Sequence, residues 1–302
     1  MTRPALPPFF TMLALAGGLL LGAEAGSGVW KAGVQPAALR EELEMVGAHR
    51  RRTDALESWR QEARLHAVLM KRLYETKAGL LTQLAQLRAF KAFASEIDRR
   101  LPEDPVALAY VAQLRQFTPG WLGGSLIEAE ARFTKALMQE GSPLSGATAG
   151  GDPTVGAGAS SEILYFAAYF HLNLKPRAGA HDLGPVKRAE ELLHLSERHL
   201  AGELDASRKD YLSIWIPYQL GVARLELGDE AGARSRWSAH LARLPDSYWG
   251  HYQFWALEKK NAGKHGATRA GATHAAEAAR LAREQGDLAF LDRLRAEGGM
   301  KE

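Results

Sequence analysis

Apolar residues recur at three- and four-residue spacing along most of the chain, with charged residues and alanines between them, which is the pattern of amphipathic helices. From Pro36, suited to a first turn, the stripe runs through Leu39, Leu43 and Val46 before Gly47 weakens it. A longer run carries Leu56, Trp59, Ala63, Met70, Leu73, Leu80, Leu84 and Leu87 on heptad-like spacing. His66 and Lys77 fall in the same stripe, so two or three mutually packed helices are expected in preference to one long coiled coil. Ala89 to Arg100 reads as a further amphipathic helix that Pro102 and Pro105 must end.

The rest of the chain predicts helices in pairs. Val106 to Gln116 is followed, after Thr118-Pro119-Gly120, by Leu126 to Gln139 with Ala129, Phe133, Ala136 and Leu137 on one face. Residues 141–160 hold Gly, Ser, Ala and Pro with little to bury, which predicts a flexible surface loop. Helices are then expected over Ile163 to Leu174 and Val186 to Leu200, a pair within 211–244, and a pair at Tyr248 to Lys260 and Thr273 to Glu284. Leu288 to Ala296 closes the series with a polar far side able to cap a stack.

One self-similarity has a fixed period. Trp215-Ile216-Pro217-Tyr218-Gln219 recurs as Trp249-Gly250-His251-Tyr252-Gln253, 34 positions on (215 to 249). Within Ile214 to Ser247 stand Leu220-Gly221, Gly228, Ala233, Trp237, Leu241 and Pro245. Gly221 and Ala233 are small where two helices would cross, Trp237 fills the space beside them, and Pro245 stops the second helix. With those residues the unit resembles a tetratricopeptide repeat, departing from it at Pro217, where a large aromatic is usual, and at His240, where Ala is usual. Looser matches spread the similarity over roughly residues 70–285. The resemblance implies an irregular solenoid of helical hairpins whose first helices line a concave groove. It places Trp215, Tyr218, Trp249 and Tyr252 in that groove, as partner contacts or as packing between adjacent hairpins. Gly221, Gly228, Ala233, Trp237 and Pro245 are its structural positions. A narrower stretch, Gly123-Gly124 with Ala129, Phe133, Ala136-Leu137 and then Tyr165 and Tyr169, is similar to the periplasmic T component associated with TRAP transporters. That family implies a role in solute uptake and is usually lipidated on a cysteine that this chain lacks.

The amino terminus bears on location. Arg3, the apolar stretch Phe9 to Gly22 and Ala23-Glu24-Ala25 read as a secretory signal over 1–25, with an uncleaved anchor or a simple apolar tail as alternatives. Residues 26–35 read as a linker, 36–100 as an N-terminal helical segment and 101–302 as the repeat domain.

Composition removes several chemistries. With no cysteine there is no disulfide, thiol nucleophile or Cys-bound zinc. The net charge of +3 arises from 38 basic and 35 acidic residues without a long basic block, so nucleic acid is not expected. The densest spots, Arg50-Arg51-Arg52 and Lys259-Lys260, read as solvated helix faces. None of the 10 histidines falls in a metal-ligand run, and no nucleophile elbow, Walker loop or dinucleotide fingerprint occurs. The expected protein is therefore all-α and non-catalytic, without cofactor or metal. It is an extracytoplasmic scaffold for protein partners, in or out of a membrane complex. A transporter accessory protein and an enzyme subunit without a readable motif are the alternatives.

Overall fold

A computed structural model describes residues 35–118, 120, 123–139, 160–178, 182–203, 206–265 and 269–299. The signal-like segment, all of the linker but Gln35, and all of the 141–160 loop but Ser160 lie outside the described residues. The chain is all-α, and among the described residues it forms twelve α-helices and no strand. They are α1 (Pro36–Thr53), α2 (Leu56–Glu75), α3 (Leu80–Arg100), α4 (Pro105–Phe117), α5 (Leu126–Gln139) and α6 (Ser161–Ala178). There follow α7 (Gly184–His199), α8 (Ala206–Glu226), α9 (Glu230–Arg243), α10 (Tyr248–His265), α11 (Arg269–Glu284) and α12 (Leu288–Ala296).

Four hairpins follow one another, α4 with α5, α6 with α7, α8 with α9 and α10 with α11, and α12 packs on α11. First helices of successive hairpins touch, α4 with α6 and α6 with α8. The N-terminal segment packs α1 on α2 and α2 on α3, and α2 also meets both α4 and α12. One hydrophobic core runs through all of these elements.

Local chemistry explains where the elements stop. Gly228 (φ 89°) and Gly286 (φ 72°) take left-handed backbone at the ends of α8 and α11, where the following Asp N–H reaches back to Arg224 O and Ala282 O. In both turns that Asp caps the next helix, Asp229 accepting from Gly232 N at 2.8 Å and Asp287 from Phe290 N at 2.9 Å. Between α4 and α5 the chain doubles back so closely that a Cβ on Gly124 would lie 1.6 Å from Thr118 O, which only glycine permits.

Three expectations need correction. Ala89 to Arg100 is the second half of α3, because nothing between Leu80 and Arg100 interrupts the backbone bonds. The heptad-like run is broken where Lys77 adopts φ 51°, so Lys77 lies in a turn and not on a helix face. Arg50 is not solvated: its guanidinium lies 4.1 Å from the Trp59 ring centroid and pairs with Glu62 at 2.5 Å.

Candidate functional site

The four aromatics singled out by the 34-residue echo stand on two first helices, and all are buried: Trp215 5%, Tyr218 5%, Trp249 7% and Tyr252 6% exposed. They make two similar nests. Trp215 meets Tyr218 edge-on at 5.5 Å and His240 at 5.1 Å, while Trp249 meets Tyr252 at 5.9 Å and Phe290 at 4.9 Å. Gln253 Nε2 donates to Tyr218 OH at 2.7 Å, tying α10 to α8. Tyr252 OH donates to Glu297 at 2.8 Å and accepts from Arg293 at 2.6 Å, tying α10 to α12. Lys259 Nζ donates to Glu297 O, closing the same end of the stack. Burial this complete leaves little area for a ligand: Trp215 packs within α8–α9, Tyr218 reaches the next hairpin through Gln253, and Trp249 and Tyr252 pack against α12.

Of the five structural positions, Gly221, Ala233 and Trp237 are closely packed, whereas Gly228 has open space around it and serves its left-handed turn. A Cβ on Gly221 would come within 2.3 Å of Trp237 Nε1, and that N–H donates to Tyr218 O at 3.2 Å. Ala233 and Trp237 are fully buried, and Pro245 lies in the turn between α9 and α10. The two departures from the repeat pattern lie on the paired helices α8 and α9. Pro217 stands inside α8 and supplies no N–H to the preceding turn. His240 Nδ1 donates to the neighbouring Ile214 carbonyl at 2.8 Å. A carbonyl only accepts, so His240 Nε2 is the unprotonated nitrogen, and it accepts from Ser247 Oγ at 2.7 Å. Ser247 Oγ in turn accepts from Gly250 N at 3.1 Å at the start of α10. Burial keeps His240 below the usual imidazole range, in keeping with a neutral ring. One histidine thus fixes α8, α9 and α10 together.

Helix α2 crosses the array. Leu65, Leu69 and Leu73 form its apolar stripe, yet Glu62, Arg64, His66, Lys71, Arg72 and Glu75 are buried too, so α2 is covered on every side. Its cations, and Lys77 just beyond it, meet partners that follow one another in chain order, the first two at the beginnings of α4 and α6. Arg60 binds Asp104, the cap of α4, at 2.6 Å. Arg64 binds Glu162 on α6 at 3.0 Å, and Arg208 on α8 reaches the same carboxylate at 3.2 Å. Arg72 donates to Gln285 O beyond α11 at 3.2 Å, and Lys77 just past α2 pairs with Asp292 on α12.

Glu162 anchors this crossing. It is 5% exposed and accepts from Tyr110 OH at 2.7 Å as well as from Arg64. Burial pushes its carboxyl up, but the charges of Arg64 and Arg208 outweigh that and hold it below the usual range. His66 stacks on Phe90 at 5.2 Å and accepts from Gln86 Nε2 at 2.9 Å, joining α2 to α3; burial and then Arg50 push it down to about 4. At the far end Asp287 is pushed up to about 6 by burial and then by the charge of Glu75, while Tyr248 OH donates to it at 2.8 Å.

Sequence reading missed Arg64, Glu162, Glu75 and Asp287: Arg64 and Glu162 meet across helices, and the pairing of Glu75 with Lys71 and Arg72 on its own helix has the same spacing as a solvated helix pair. The repeated Gly-Asp pair at 228–229 and 286–287 was a usable sign of Asp287 as a cap. Among the described residues no group of three or more His, Asp or Glu could hold a metal ion, and no helix is long and apolar enough to cross a membrane. Comparison with protein families, curated proteins and solved structures finds no match to this chain.

Proposed function

We propose that the chain is a non-catalytic, tetratricopeptide-like scaffold that acts outside the cytoplasm and binds protein partners. The observation that carries this reading is α2 laid against α4, α6 and α12: the array holds an amphipathic helix by an apolar stripe and by arginines set on Asp104, the cap of α4, and on Glu162 in the first turn of α6. An array that grips a helix in this way has the chemistry of a protein binder, and α2 stands as its internal example of such a ligand. Of the two roles open to Trp215, Tyr218, Trp249 and Tyr252, burial supports packing over partner contact. Phe9 to Gly22 with Ala23-Glu24-Ala25 supports export.

The test is affinity purification of the native protein, crosslinked in its own host, followed by mass spectrometry and by N-terminal sequencing. A reproducible protein partner and a chain lacking Met1 are expected. Purification without any specific partner overturns the scaffold reading, and an intact Met1 in a soluble cytoplasmic fraction overturns export. Trp215→Ala and Tyr252→Ala should lower the melting temperature sharply. Unchanged melting with loss of the partner returns these rings to the binding surface.

A further inference from the structure

The outer face of α5 is apolar and open. Ile127 is 82% and Met138 52% exposed, Ala131 and Thr134 between them are exposed, and the four line one shallow hollow with Glu130 and Lys135. The inner face of the same helix is spent on the core through Ala129, Phe133, Ala136 and Leu137. Among the described residues, α5 therefore presents a second stripe that no other helix covers.

The spacing of that stripe selects its occupant. Positions 127, 131, 134 and 138 are separated by four, three and four residues, the d-a-d-a order of a coiled-coil seam. In that register Glu130 falls at g and Lys135 at e, the flanking positions that pair between helices. In a parallel two-fold pair, g of one helix meets e five residues further along the other, so Glu130 faces Lys135 of the second copy, twice by symmetry. An antiparallel pair that sets Ile127 against Met138 brings g against g and e against e, so Glu130 falls opposite the buried Leu137 and loses its partner, while Lys135 falls opposite Glu128, which already pairs with Arg115 at 3.3 Å. Ala131 and Thr134 at the centre are small enough for close approach. Lys135 holds Pro102 O at 2.8 Å and Glu103 at 2.6 Å from its partly exposed position, and its ammonium has a further donor for a carboxylate across the seam.

We propose that a second copy of this chain docks on α5, forming a parallel two-fold helix pair through Ile127, Ala131, Thr134 and Met138 with reciprocal Glu130–Lys135 ion pairs. Two short heptads bury less than the roughly 1,600 Å² of a standard interface, so the dimer is weak and concentration-dependent.

The natural absence of cysteine makes the register testable in the full chain. Single-cysteine variants Ile127→Cys and Thr134→Cys should each form disulfide-linked dimers under mild oxidation, because each seam residue meets its own counterpart. Sedimentation at rising concentration should show a reversible monomer–dimer equilibrium. Glu130→Lys and Lys135→Glu should each weaken it at least tenfold, and the double swap should restore it; circular dichroism confirms that each variant is folded. Three outcomes overturn the proposal: a monomer at every concentration without crosslinking; crosslinking only when Ile127→Cys is mixed with Met138→Cys; or a dimer insensitive to the charge reversals. A monomer that captures a foreign helical partner on this face also overturns it, without touching the scaffold reading.

Discussion

The unit α8–α9–α10 and the helix α2 are buried to a similar degree by opposite means. In the first, small residues admit large rings: Gly221 beneath Trp237, Gly250 against His240 and Leu241. Each contact lies within one repeat or between neighbours, so the chain announces it at short range. In α2, charge is buried against charge, and the carboxylates that neutralise Arg60 and Arg64 come from residues 104 and 162; just past the helix, the exposed Lys77 pairs with residue 292. Local packing is readable as periodicity, whereas a long-range ionic dock has no period.

If α2 is held as described, removing its anchor is the most damaging single change. Glu162→Leu leaves Arg64 and Arg208 facing each other in the interior and Tyr110 without its acceptor, and should cost about 3–5 kcal/mol in denaturant unfolding. A loss below about 1 kcal/mol would erase the distinction between the two regions.

Next in size is a gain. Asp287 is held at about 6 when folded against an ordinary 3.8, so the native state binds the proton more tightly and stability falls as pH rises between those values. Asp287→Asn keeps Oδ1 as the acceptor for Phe290 N and sets an amide N–H toward Tyr248 OH, whose oxygen can accept it, without the charge. It should stabilise the protein at pH 7 by up to about 3 kcal/mol, the gain vanishing below about pH 4. Urea midpoints measured across that range decide; equal midpoints at pH 7 refute the buried carboxylate pair. His66, pushed down to about 4, acts in the other direction, its contribution being complete above 6.5 and lost as pH falls toward 4. The Asp287→Asn comparison must therefore be made pH by pH against the parent.

Smallest is Gly221→Ala, whose methyl would press on the indole of Trp237 and should cost about 1–3 kcal/mol. A neutral result would mean that α8 and α9 can separate freely, and the well-formed unit would lose its distinction.

Much of the fold was legible. Leu126–Gln139 and Leu288–Ala296 were predicted at their observed bounds, because the chain marks those ends with glycine, proline or a capping aspartate. The single helix Leu80–Arg100 was read as parts of two, because its apolar spacing shifts midway while no residue breaks the backbone. Of the candidate site, the aromatic pairs were identifiable as equivalent positions, but not their burial, which depends on α9 and α12 and so on residues far along the chain. His66 and Lys77 were rightly noticed as misfits of a coiled-coil seam. One is a neutral ring between α2 and α3 and the other a turn residue, outcomes that only the tertiary partners decide.

The contacts of Arg72 with Gln285 O and of Lys77 with Asp292 join positions more than two hundred residues apart. Stacked repeats ordinarily behave as a one-dimensional array, in which units form and fray independently. Here α2 turns the row into a closed unit with high contact order, which slows folding and leaves the early helices without their last partner until α12 has been synthesised. Unfolding should consequently be one concerted event, with no freely fraying end at the C-terminal cap.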